Sequence, residues 1–83
     1  MNTMFRESLA AIPEDVVRMF EIEHIIAEKI DAALKAKGIT KRQFARSMGK
    51  SESEVSKWLT GRHNFTLSTI AKIEVALGER LFE

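Results

Sequence analysis

Two helix-start signals stand 11 positions apart in this chain, Thr40 with Gln43 and Ser51 with Glu54, and Gly49 lies between them. In such a capping box the hydroxyl accepts from an otherwise orphaned backbone N–H while the Glu or Gln reaches back to the cap's own N–H. A helix begun at Thr40 therefore has room for about two turns before Gly49, where a positive φ that ends a helix costs least. The stretch TKRQFARSMGKSESEVSKWLTG, Thr40 to Gly61, must then hold two short helices, about Lys41 to Met48 and Glu52 to Thr60, joined by a stiff turn of about three residues. Ile39 and Phe44 occupy the positions of a hydrophobic staple, which fixes the angle of entry into the first helix.

The second helix has two faces. Val55, Trp58 and Leu59 fall at i, i+3 and i+4 and form an apolar face for a core, whereas Ser53, Ser56, Lys57 and Thr60 fall on the opposite side. The outward residues are small or long and polar, able to approach base edges and phosphates. Trp58 is favoured as core rather than as a stacking platform, because of its place between Val55 and Leu59. Phe44 and Met48 are read as core for the same reason, and Ala45 is small where the two helices should cross closely.

Ala45, Gly49, Val55, Trp58 and Gly61, in the spacing A-x3-G-x5-V-x2-W, resemble the helix-turn-helix of the phage repressor and Cro (xenobiotic-response-element) family. That resemblance implies an all-α fold, a compact four- to five-helix repressor-like domain, here with an N-terminal helical extension. It places the start of the second motif helix in the major groove, which implicates Ser51, Glu52, Ser53 and Lys57 in base readout, with Ser56 added from its outward position. Lys57 can donate to guanine O6 or N7, and Glu52 can accept from cytosine N4. The resemblance also implies phosphate contacts at Lys41, the first residue of the first motif helix, and in the loop of Arg62, His63 and Asn64; Arg42, Lys50 and Thr60 complete the expected phosphate set. For His63 an exposed loop residue is an equal reading. Glu52 departs in chemistry, since a carboxylate near phosphates is repulsive unless it meets a cytosine amino group or pairs with Lys50; stabilising the helix dipole is its alternative role. Glu54 is assigned to the cap. No Asn or Gln stands on this face, so no adenine reader is evident and no operator sequence can be written.

Charge is distributed as a polyanion-binding surface requires. The net charge is only +1, but residues 1–34 carry three basic side chains against seven acidic ones, and residues 35–62 carry eight basic ones against Glu52 and Glu54. The basic part coincides with the motif, where each neutralised phosphate would release condensed counterions.

Outside the motif the chain reads as helix. Met1 to about Ala11 has no clear period, although Met4, Phe5 and Leu9 are apolar enough to dock. Pro13, Glu14 and Asp15 suit a first helical turn, with Val16, Met19 and Phe20 as a short apolar stripe. This predicts a helix from about Pro13 to Phe20, kinked into the next or continuous with it. From Ile22 the stripe Ile22, Ile26, Ile30, Leu34, widened by Ile25 and Ala33, has helical period and ends at Gly38. Thr66 is a third N-cap, with Phe65 and Ile70 as a staple, and Leu67, Ile70, Ile73 and Leu77 are expected to line a last helix stopped by Gly78. The family often has a proline near this helix start, where this chain has Phe65. Leu81 and Phe82 in the tail are apolar enough to pack on the core or on a partner. The expected division is residues 1–21 as an N-terminal arm and 22–83 as the helix-turn-helix domain.

Eighty-three residues suffice for one small core, burying roughly 60% of the unfolded chain's surface, which argues against a large enzyme cleft. His24 and His63 are the only histidines and cysteine is absent, so no nucleophile–base pair and no metal-ligand set is recognisable, and no Gly-rich phosphate loop is present. His24 is expected on the exposed side of the first helix beside Glu21 and Glu28. Glu14 and Asp15 are explained as a helix start. No cofactor is implied. Arg6 and Glu7 precede any long apolar run, unlike a signal peptide, and no stretch approaches the roughly 18 apolar residues of a membrane span. The expected setting is the cytoplasm.

The function implied is a sequence-specific, double-stranded DNA-binding transcriptional regulator, a repressor acting as a homodimer on an operator with half-sites about 34 Å apart, and not an enzyme. The alternative is an antitoxin-like interaction module that neutralises a partner toxin through residues 1–21 while repressing its own promoter.

Overall fold

The computed structural model describes residues 11–82, and within them every regular element is a helix. They run α1 (Glu14–Lys37), α2 (Lys41–Met48), α3 (Glu52–Trp58) and α4 (Leu67–Leu77). Met4, Phe5 and Leu9, expected to dock, lie outside the described residues.

α1 is one helix of 24 residues. The expected helix to Phe20 and the one from Ile22 are continuous, because the intervening Glu21 and its neighbours contain no glycine, proline or competing cap. The division at residue 21 thus falls inside α1. Pro13 precedes the helix without a side-chain cap, Glu14 and Asp15 occupy its positive end, and Lys35 and Lys37 its negative end. At about 1.5 Å per residue α1 is roughly 36 Å long, against a molecule of 45 × 22 × 21 Å. Near its N-terminal end Met19 is exposed and Phe20 is half exposed.

The core is built where the sequence places its apolar stripes. Ile26, Ile30, Ala33 and Leu34 of α1 meet Phe44 and Ala45 of α2, Val55 and Trp58 of α3, and Ile73 and Leu77 of α4. Phe44, Ile30, Ile73 and Val55 are the largest side chains fully withdrawn from solvent, each contributing roughly 1.5–3 kcal/mol of transfer free energy. Phe44 and Trp58 cross edge to face, with ring centroids 6.3 Å apart at 76°, a favoured aromatic geometry. Ile39, Phe65 and Ile70 pack against this cluster, as both staples require.

Leu67 does not line the core. It is 85% exposed, because the inward face of α4 is the Ile70, Ile73, Leu77 side and Leu67, the first helical residue, points away from it. The tail supplies Leu81 instead, which is buried, while Phe82 stays partly exposed. Both backbone groups of Leu81 are held: its N–H donates to Glu74 Oε2 at 2.7 Å and its carbonyl accepts from Lys29 Nζ at 2.6 Å. Lys29 also lies 5.5 Å from the Phe82 ring centroid, so the tail is strapped across α1 and α4.

Candidate nucleic-acid interface

The first capping box forms in full. Gln43 N–H donates to Thr40 Oγ1 at 3.1 Å and Thr40 N–H donates to Gln43 Oε1 at 2.9 Å. α2 then ends at Gly49, whose φ of 67° lies in the left-handed region; the following Lys50 N–H closes back on the Ala45 carbonyl at 2.9 Å. This is the device that turns the chain within three residues into α3.

The second box forms by half. Ser51 Oγ accepts from Glu54 N–H at 3.1 Å, but the Glu54 carboxylate meets the Ser51 hydroxyl at 3.5 Å instead of its backbone N–H. The cap at α3 therefore rests on the serine. α3 is also shorter than the expected Glu52 to Thr60, ending at Trp58 with Leu59 as its C-cap. Thr60 explains the stop, because its hydroxyl donates to the Lys57 carbonyl at 2.7 Å and accepts from Arg62 N–H at 3.2 Å. That pair of bonds closes a turn in place of further helix.

Trp58 is 3% exposed and Val55 is fully buried, with Leu59 packed partly against the same cluster. This orientation leaves Ser51, Glu52, Ser53 and Lys57 exposed and Ser56 half-buried on the outer side of the motif. The five expected base readers thus lie on one short element, and Glu52 makes no ion pair with Lys50 among the described residues.

Around that face the cations stand unneutralised. Ion pairs among the described residues join Arg18 to Glu21, Asp31 to Lys35 and Glu79 to Lys37, and Glu28 meets His24 Nε2 at 3.0 Å. None involves Lys41, Arg42, Arg46, Lys50, Lys57 or Arg62, all of which are exposed. The acids of α1 nearest the motif, Glu28 and Asp31, share a hollow with Lys41 but pair along their own helix.

Arg42, Arg46 and Lys50 line one shallow hollow with Ala45 and Glu52. Arg46 was not among the expected contacts; its signal is the i, i+4 spacing from Arg42, which puts both guanidinium groups on one side of α2. His63 is half-buried, not a free loop residue. Its ring meets Phe65 edge-on at 4.7 Å and lies 6.4 Å from Trp58, so it helps seat the loop that displays the exposed Arg62 and Asn64. His24 is exposed and contacts Glu28 at 3.0 Å, as expected for the outer side of α1.

Among the described residues no group of three or more His, Cys, Asp or Glu is placed to hold a metal, and no helix is long and apolar enough to cross a membrane. No curated protein and no solved structure matches the chain. The family model described as Helix-turn-helix matches residues 30–83, which takes in the last third of α1, the complete motif and α4. With the box at Thr40, the left-handed Gly49, the inward Trp58 and the exposed start of α3 in place, this chain belongs to the Cro/C1-type helix-turn-helix family of DNA-binding regulators.

Proposed function

We propose that this protein is a sequence-specific repressor that binds double-stranded DNA as a homodimer and acts by occupying an operator. The observation that carries the reading is the set of exposed cations around α3. Every one of Lys41, Arg42, Arg46, Lys50, Lys57 and Arg62 lacks an acidic partner among the described residues, whereas Glu21, Glu28 and Asp31 of α1 contact basic groups of their own helix. Unpaired cations framing a polar helix face match a phosphate backbone framing a groove. Ser51, Glu52, Ser53, Ser56 and Lys57 read bases; Lys41, Arg42, Arg46, Lys50, Arg62 and Asn64 hold phosphates, with Thr60 and His63 shaping the loop from which the last two reach.

Selection from random duplexes tests this. It should return a two-fold symmetric site with half-sites about one helical turn apart, and affinity should fall with salt at a log-log slope of roughly −5 to −7, from about three to four phosphates per subunit. Enrichment of no sequence, with binding indifferent to salt, would refute the proposal.

The exposed start of α1 supports a second, compatible role as an arm that binds and neutralises a toxin partner. Residues 14–29 lie outside the family match and expose Met19 and Phe20 among Glu14, Asp15 and Glu21. Deleting residues 1–21 should leave folding and duplex binding intact if that part serves only such a partner; loss of duplex binding would make it part of the DNA-binding device.

A further inference from the structure

A hollow opens where α1 meets the DNA-binding motif, and it gathers His24, Glu28 and Asp31 of α1 with Lys41 at the start of α2 and Thr60 just past α3. Lys41 is a phosphate contact in the reading given above, so the acids beside it bear directly on duplex binding. Asp31 is paired with Lys35 at 2.8 Å. Among the described residues Glu28 has only His24, whose Nε2 lies 3.0 Å from Glu28 Oε1, and Lys41 enters no ion pair. Of the other charges near the imidazole, Glu21 meets Arg18 at 2.8 Å, Glu23 is turned inward, and the loop after α3 adds Arg62 next to Gly61. The ring occupies the space that Gly61 leaves open, with Nδ1 2.9 Å from where a β-carbon would stand. His24 therefore touches both the acid beside Lys41 and the loop that carries Arg62 and Asn64.

We propose that His24 regulates the duplex site by pH, its proton offsetting the Glu28 carboxylate beside Lys41, so that DNA is held more tightly as pH falls. This role rests on the operator reading and adds a control to the same site. Imidazole is the side chain whose charge ordinarily changes between about pH 5 and 8. While His24 is neutral, Glu28 presents an uncompensated negative charge to a phosphate arriving at Lys41, and the two repel. Once His24 carries a proton the pair is neutral and that repulsion is cancelled. A phosphate beside the imidazole favours the protonated ring, so duplex binding takes up protons and affinity falls as pH rises.

Both side chains are largely exposed, which limits the size of the effect. Exposed charges act on one another within roughly 8 Å at physiological salt, so the control is confined to phosphates seated near Lys41 and Arg62 and weakens as salt is added. Residues 24 and 28 precede the family match at 30–83, so the pair belongs to the part of α1 outside the shared motif.

Binding of a duplex enriched by the selection described above is measured at about pH 6 and about pH 8, at one fixed, moderate ionic strength. Wild type should bind about three- to tenfold more tightly at the lower pH, the ratio produced by uptake of up to half a proton on average. His24→Gln should lose that ratio and bind at both values as wild type does at the higher pH. His24→Lys, charged at both, should bind throughout as wild type does at the lower. His63→Gln should keep the ratio, since the His63 ring sits against Phe65 and Trp58. Glu28→Gln should bind more tightly than wild type at the higher pH, and no gain there would overturn the part given to that carboxylate. A ratio near one in wild type, or one that survives His24→Gln, would overturn the pH control while leaving duplex binding intact. Failure of every protein to bind any duplex would instead overturn the operator reading, and the control with it.

Discussion

The imidazole of His24 sits against Gly61, its Nδ1 only 2.9 Å from the point where a β-carbon on that glycine would stand. The contact is where α1 meets the loop leaving α3, the loop that carries the exposed Arg62 and Asn64.

Gly61→Ala meets two obstacles there, a φ of 82° and the His24 ring. The ring is exposed and can swing away, while the His24 Cα lies at an ordinary 3.7 Å. The backbone therefore dominates, at about 1–2 kcal/mol. The expected thermal midpoint falls roughly 4–8 °C for each kcal/mol, and His24→Ala restores little of it. Rescue by His24→Ala in a double-mutant cycle would show that sterics dominate.

The unequal caps make a second prediction. Thr40→Ala removes the hydroxyl of a complete box and Ser51→Ala that of a single-bond cap, each costing about 1 kcal/mol. Gln43→Ala also costs stability through the lost bond to Thr40 N–H. Glu54→Ala leaves the Ser51 bond to N–H of residue 54 intact and should change urea unfolding far less than Gln43→Ala. A larger loss would assign the Glu54 carboxylate a capping role.

Among the cations, Lys57→Ala should alter sequence preference in a duplex selection, whereas Lys41→Ala and Arg46→Ala should weaken binding to all duplexes and each lower the salt slope by about 1. An unchanged slope for Arg46→Ala would remove the Arg42, Arg46, Lys50 hollow from the footprint. Glu52→Gln separates two roles: tighter binding to every duplex if the carboxylate merely repels phosphate, or weakened discrimination at one base pair if it accepts from cytosine.

Glu23 carries a fourth prediction. It is 5% exposed, and its Oε1 is buried without a hydrogen-bond partner among the described residues. A buried acceptor left unmade costs about 1–3 kcal/mol, so Glu23→Leu should raise the thermal midpoint by several degrees. A lower midpoint would mean that the carboxylate serves a contact.

Local chemistry made much of the fold legible. The Thr40 box, Gly49, the Ser51 cap and the Thr66 cap are written in residues no more than three or four apart, so neighbouring sequence suffices to place helix ends. The core face followed from helical period, which put Ile26, Ile30, Val55, Trp58 and Ile73 inside. Period failed at Leu67, where the first turn of α4 has no neighbour to cover it; at Glu23 the period points inward, three and seven residues before Ile26 and Ile30, but its charge argues against the burial it has. The length of α3 also escaped, since Thr60 has outward-facing spacing but spends its hydroxyl on closing the turn.

The sequence by itself determined that two short capped helices meet at Gly49 and that the cations gather around them, because caps, glycine and charge act through local bonding or simple position along the chain. Only the tertiary structure decided which of those cations are free. Pairing depends on which side chains come within a few ångströms once helices form and pack, and here it engages Glu21, Glu28 and Asp31 of α1 and joins Lys37 to Glu79, while the cations around α3 enter no ion pair among the described residues. The same holds for Leu67 and Val75 of α4, apolar residues that only the packing of the helices leaves exposed.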